Sequence, residues 1–204
     1  MRALVLVDLQ NDFLPGGALA VREGDRVIPI ANRLQREVDL VVATQDWHPF
    51  DHASFASQHS GKRPGESITL DGLPQVLWPD HCVQLTHGAA FAATLDTKRV
   101  AKIFPKGMDR RVDSYSGFFD NGRRHDTGLA AYLQLKGVRE LLVCGLATDY
   151  CVKWTALDAA EVGFETFVVV DACRGVELNE GDVDDALDEL EDAGVELVES
   201  DELL

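Results

Sequence analysis

Basic residues are scarce in this 204-residue chain: 19 Lys and Arg stand against 35 Asp and Glu, a formal net charge of −16. That balance repels nucleic acid and anionic membrane surfaces, so neither is expected as a partner. Much of the acidity falls between Glu177 and Glu202 and reads as the solvated side of a helix and a tail. Cysteine is sparse too. Cys82, Cys144, Cys151 and Cys173 match neither a zinc-knuckle spacing nor a small disulfide scaffold. No apolar run approaches the length of a membrane span, and Met1 leads straight into a strand-like run rather than into a secretory signal. A reducing cytoplasm is the expected setting.

What the chain does have is enough apolar material for a sizeable core, 46% of its residues, and a regular alternation of short apolar runs with amphipathic stretches. The runs Arg2–Asp8, Leu40–Thr44, Arg99–Phe104, Glu140–Gly145, Thr166–Val170 and Val195–Val198 read as buried strands. Helices are expected over Asp25–Val38, Asp126–Lys136, Asp149–Val162 and Asp182–Ala193, the second and third capped by Asp126 and Asp149. Strands alternating with helices predict an α/β fold, a three-layer α/β/α sandwich around a six-stranded, mostly parallel sheet. A single domain over 1–204 is expected. Residues 46 to about 91, rich in His, Gly, Pro and Ser, read as one long irregular region, a length that usually marks a functional loop.

In such sheets ligands bind beyond the carboxyl ends of the strands, and several reactive side chains fall there. Cys151 sits where a strand gives way to a helix. Unpaired N–H groups and the positive end of the dipole at a helix start favour a thiolate and can hold an oxyanion. Asp8 ends the first strand and is placed to take a thiol proton and deliver it to a leaving group. Lys106 follows the third strand, where a cation would support both. Asp46 and His48 lie two apart after the second strand and so face the same side. One carboxylate and one imidazole suit zinc, iron or manganese, with His81 as a third ligand and an open position left over. His52, His59 and His87 are close in sequence and read as surface histidines that remain available as alternative ligands.

Taken together, the segments Val7–Phe13, Asp46–Pro49, Ser54–Ser57, Leu73–Gln75, Trp78–Cys82, Lys106–Gly107, Asp113–Phe118 and Gly145–Val152 resemble the isochorismatase-like cysteine hydrolases. The Asp-x-His pair with Trp-Pro-x-His-Cys is similar to the metal-binding nicotinamidase branch of that superfamily. The resemblance runs in order over almost the whole chain. It implies the isochorismatase-like hydrolase fold and hydrolysis of nicotinamide to nicotinate and ammonia in NAD salvage, with pyrazinamide as a second substrate. It makes Cys151 the nucleophile, Asp8 the proton carrier and Lys106 the residue that holds their charges. It implies an oxyanion hole formed by the N–H groups of Ala147 and Cys151, around a cis peptide at Leu146-Ala147. Phe13, Trp78 and Tyr115 take the positions that hold the substrate ring. One divalent transition metal, zinc before iron or manganese, would sit on Asp46, His48 and His81 and meet the ring nitrogen. Self-association through an exposed sheet edge or helix face is compatible with the resemblance. The alternatives are a metal-free relative cleaving another amide, a ureido compound or a vinyl ether, and a non-catalytic binding protein, which would lack one of Asp8, Lys106 or Cys151.

Overall fold

Continuous apolar strands set the architecture. The computed structural model describes residues 1–203. Its main sheet has six strands, β1 Arg2–Val7, β2 Leu40–Asp46, β5 Val100–Lys106, β6 Glu140–Leu146, β7 Glu165–Arg174 and β8 Glu196–Val198. Their order across the sheet is β5-β2-β1-β6-β7-β8, and every neighbouring pair is parallel. Ala3 to Val7 of β1 are all buried. Successive strand residues point to opposite faces, so both faces of the sheet are covered. Each such Leu or Val contributes about 1.5–3 kcal/mol of burial free energy. The helices α1 Val27–Leu34 and α3 Lys153–Glu161 both pack on β6 and β7, while α4 Asp182–Asp192 packs on α3 and β8. A further helix, α2, runs over Leu129–Leu135. The six-stranded α/β/α expectation therefore holds.

Some boundaries differ. The first helix begins with a 3-10 turn at Gly24–Arg26 and ends at Leu34, short of Val38. α2 starts at Leu129; the Asp126 carboxylate accepts from Gly128 N–H, and Thr127 Oγ1 accepts from Leu129 N–H, so a two-step turn replaces a single cap. The region after Asp46 is not wholly irregular. Ser67–Leu70 (β3) and Leu73–Val76 (β4) pair antiparallel across Asp71-Gly72, both with positive φ (+49° and +84°). Asp-Gly is the dipeptide that a two-residue hairpin turn of this hand requires.

The strand order brings the reactive segments to one rim. β1 and β6 are adjacent, with Val7 opposite Gly145; β2 and β5 are adjacent, with Asp46 opposite Lys106. Gly145 has φ +132°, and a Cβ on it would lie 2.1 Å from the Val7 carbonyl oxygen. Only glycine lets the two strands close at the point where the chain turns toward Cys151.

Candidate active site

Asp8 is the first residue beyond β1 and adopts a left-handed backbone (φ +47°), a conformation that Asp tolerates better than most side chains. Its carboxylate is buried in a polar cage. Oδ1 accepts from Thr44 Oγ1 at 2.7 Å. Oδ2 lies 2.8 Å from Lys106 Nζ as an ion pair, yet has no aligned hydrogen-bond donor. Lys106, at the end of β5, also donates to Ser114 O at 2.9 Å and to Cys151 Sγ at 3.3 Å, and it pairs with Asp46 in a very short contact. Thus one buried ammonium touches the carboxylate after β1, the carboxylate ending β2 and the thiol after β6.

These contacts fix the charges. Burial would lower the Lys106 pKa, but Asp46 and Asp8 hold it well above the ordinary range. Burial raises Asp8 despite Lys106. Burial would also raise Asp46, yet Lys106 and His48 hold it well below the usual carboxylate range. Cys151 is pushed well up by burial, against the pull of Lys106. Cys151 does not stand in the first turn of α3: it belongs to a π-helical turn, Thr148–Val152, closed by Val152 N–H to Ala147 O at 3.0 Å, and α3 begins only at Lys153. π turns of this kind are common at functional sites. The peptide Leu146-Ala147 before it is cis. Asp149 does not cap α3; its carboxylate accepts from the N–H groups of Val176 and Glu177.

Asp46, His48 and His81 come together. All three are buried, and one donor atom from each lies within 4.8 Å of the other two. His48 Nε2 is 3.4 Å and His81 Nε2 3.6 Å from Asp46 Oδ2. The other ring nitrogens are tied to carbonyls, His48 Nδ1 to Gly107 O and His81 Nδ1 to Pro79 O, each at 2.8 Å. A carbonyl accepts only from an N–H, so each Nδ1 carries the donated proton and Nε2, which faces Asp46, is the nitrogen left to ligate in the neutral ring, the orientation metal-binding histidines adopt. Mixed carboxylate and imidazole donors of this kind fit a divalent transition metal. Gly107 permits the arrangement: a Cβ there would lie 2.3 Å from His48 Cε1. His52 is buried rather than on the surface; its Nδ1 meets Ser54 Oγ at 2.7 Å, its Nε2 has no partner, and its ring packs on His48. His59 is tied to Ala53 O, and His87 is exposed. Asp8, Asp46 and Cys151 also approach one another, but the Lys106 ammonium fills the space between them.

Beside these groups lies a narrow slot lined by Phe13, Trp78 and Tyr115, with Ala147, Cys151, Asp46 and His81 also in its wall. Trp78 Nε1 donates to Tyr115 Oη at 3.2 Å, and Tyr150 packs edge-on against both rings. A larger groove of about 710 Å3 runs past Tyr115 and Trp154, but it holds none of the candidate catalytic or metal-ligating residues.

Sequence reasoning missed several contributors. Leu19, Tyr150 and Val176 also line the slot. Gln10, wholly buried, accepts from Asp46 N–H and donates to Asp46 O, both at 2.8 Å, and donates to Ala89 O at 2.9 Å. Asp12 accepts from the N–H of Cys82, next to His81, at 2.7 Å. Both lie in the segment after Asp8, where a polar residue that is not needed for chemistry was the available signal.

The description "Isochorismatase domain" matches residues 2–202. A nicotinamidase of Escherichia coli is 53% identical over 200 residues, covering 96% of this chain and 93% of its own. The solved nicotinamidase/pyrazinamidase of Acinetobacter baumanii superposes with a TM-score of 0.97 at 47% identity, over 100% of this chain and 98% of its own. The pyrazinamidase of Pyrococcus horikoshii, solved in complex with zinc, gives a TM-score of 0.79 at 39% identity, over 97% of this chain and 98% of its own. With a match spanning nearly every residue of the sheet and of the rim it builds, the chain belongs to the isochorismatase family.

Proposed function

We propose that the protein is an amidohydrolase that converts nicotinamide to nicotinate and ammonia through a thioester on Cys151. One observation carries the reading: Asp8, Lys106 and Cys151 meet beside an aromatic slot whose wall also carries Asp46 and His81, two of three clustered candidate metal ligands. The near full-length similarity to nicotinamidases supports the same substrate. In this reading Cys151 Sγ attacks the carboxamide carbon. Its proton passes to the Asp8 carboxylate and then to the departing nitrogen, so a C–S bond replaces the C–N bond and ammonia leaves. Lys106 keeps the carboxylate and the sulfur in register. The N–H groups of Ala147 and Cys151 receive the developing oxyanion. A water then adds to the thioester, giving a proton to Asp8; the C–S bond breaks, nicotinate leaves and the sulfur recovers its proton.

Phe13, Trp78 and Tyr115 hold the flat ring. Asp46, His48 and His81 would hold a divalent transition metal, with zinc favoured by the donor set and by the zinc-bound relative. When bound, the ion gives the ring nitrogen a Lewis-acidic partner, directly or through water, and so orients the substrate rather than activating a nucleophile. Pyrazinamide keeps that nitrogen and is expected to be a substrate. No helix among the described residues is long and apolar enough to cross a membrane; we assign the activity to the cytoplasm, in NAD salvage. The test is ammonia release from nicotinamide together with elemental analysis of the same preparation. No release by metal-loaded enzyme would sink the reading and direct attention to ureido and other amide substrates.

A further inference from the structure

We propose that Asp149 is a positioning residue that sets the width of the ring slot by holding Val176 against it. The inference rests on the nicotinamide reading and deepens it. Asp149 stands two residues before the nucleophile, inside the π-helical turn, and only 6% of it is exposed. Its carboxylate makes no cap to α3. It reaches instead across to the loop after β7, where Oδ1 accepts from Val176 N–H at 2.9 Å and Oδ2 from Glu177 N–H at 2.7 Å. Two successive N–H groups thus meet one anion, as in a backbone nest. The loop is pressed down at this point: a Cβ on Gly175 would lie 2.2 Å from Val183 Cγ2 and 3.2 Å from Asp149 Oδ1.

Val176 lines the slot together with Phe13, Leu19, Tyr150 and Cys151. One carboxylate therefore joins the turn that carries the nucleophile to a side chain of the slot wall. Asparagine has the same shape but a single acceptor oxygen. In Asp149→Asn the amide NH2 would face one of the two backbone N–H groups, donor against donor, and the loop would shift. The position of Val176 would change while Cys151, Asp8 and Lys106 keep their contacts.

The test compares wild type, Asp149→Asn, Val176→Ala and the double variant on nicotinamide and on 5-methylnicotinamide, whose ring is one methyl wider. Asp149→Asn is expected to raise KM for nicotinamide about tenfold, with kcat within about threefold of wild type. The rate of Cys151 alkylation by iodoacetamide should stay near the wild-type value. Val176→Ala should weaken the preference for nicotinamide over the methylated amide, and adding Asp149→Asn to it should change that preference less than in wild type, as two parts of one wall require. A fall in kcat and in alkylation rate with KM unchanged would overturn the inference, because Asp149 would then be supporting the nucleophile's turn. An unchanged preference in Val176→Ala overturns it as well, whether or not Asp149→Asn folds. Wild type that releases no ammonia from nicotinamide defeats the underlying reading, whereas an active wild type with indistinguishable variants defeats this inference alone.

Discussion

The two groups of side chains that meet at the slot are built differently. In the thiol group Asp8 follows β1 directly, Lys106 ends β5 and Cys151 stands on the closed π-helical turn after β6, so the sheet frames all three. Among the candidate metal ligands only Asp46 belongs to a strand. His48 and His81 stand on loops, each fixed by one carbonyl at its Nδ1. A covalent step tolerates little error in position, and the rigid frame is found where the bond would form. Holding an ion tolerates more, since donor atoms on loops can adjust by fractions of an ångström, and the loops are found there.

Four experiments press on that contrast. The largest effect is expected at the thiol: Cys151→Ala should lower kcat by at least about 10⁴-fold, while Cys82→Ala, Cys144→Ala and Cys173→Ala keep measurable turnover. Ammonia assays on the four purified variants decide this. Full activity in Cys151→Ala would remove the covalent mechanism.

Next comes Lys106→Met. It would leave Asp8 and Asp46 buried without their shared cation, and breaking buried pairs in this way costs about 3–5 kcal/mol. Denaturant titration should therefore show a large stability loss beside the loss of activity. A variant as stable as wild type would mean that the ammonium is not integral to the frame.

For the loop-borne ligands the expected pattern reverses. His48→Ala and His81→Ala should bind less metal and raise KM for nicotinamide, with the unfolding midpoint moved by only a few degrees. Elemental analysis and thermal melts read both quantities. Wild-type metal content in both variants would show that the ligands were misassigned.

The smallest effect concerns the substrate itself. Benzamide has the shape of nicotinamide without the ring nitrogen, so one polar contact stays unmade. Such a loss costs on the order of 1–3 kcal/mol, or roughly ten- to hundredfold in kcat/KM. Pyrazinamide should be hydrolysed. Equal kcat/KM for benzamide and nicotinamide on fully metallated enzyme would show that the metal site does not read the nitrogen.

The same contrast explains what the sequence could reveal. Strands β1, β2 and β6 are apolar runs that stop at polar residues, so Asp8, Asp46 and the turn before Cys151 could be found from periodicity alone. The β3–β4 hairpin carries its turn signal, Asp71-Gly72, but its strands are four residues long, Pro74 interrupts one, and neither is deeply buried enough to leave a pattern. Gln10, Asp12 and Asp149 escaped for another reason. Each binds the backbone of a residue 28 to 70 positions away, and such a partnership leaves no periodic trace near the side chain that makes it. Asp149 was read as the cap of the nearest helix because local bonding is all that a local pattern can express.

Gln10 has a mechanical meaning. The stretch of chain after β1 turns away at Asp8, yet two residues later this side-chain amide grips both the N–H and the C=O of Asp46. The proton carrier and the first candidate metal ligand are thus jaws mounted on one short beam. When the protein flexes, the beam carries both jaws together, and the gap between them behaves as a fixed gauge. The Lys106 ammonium occupies that gauge, so one fixed spacing serves both the proton carrier and the candidate metal ligand.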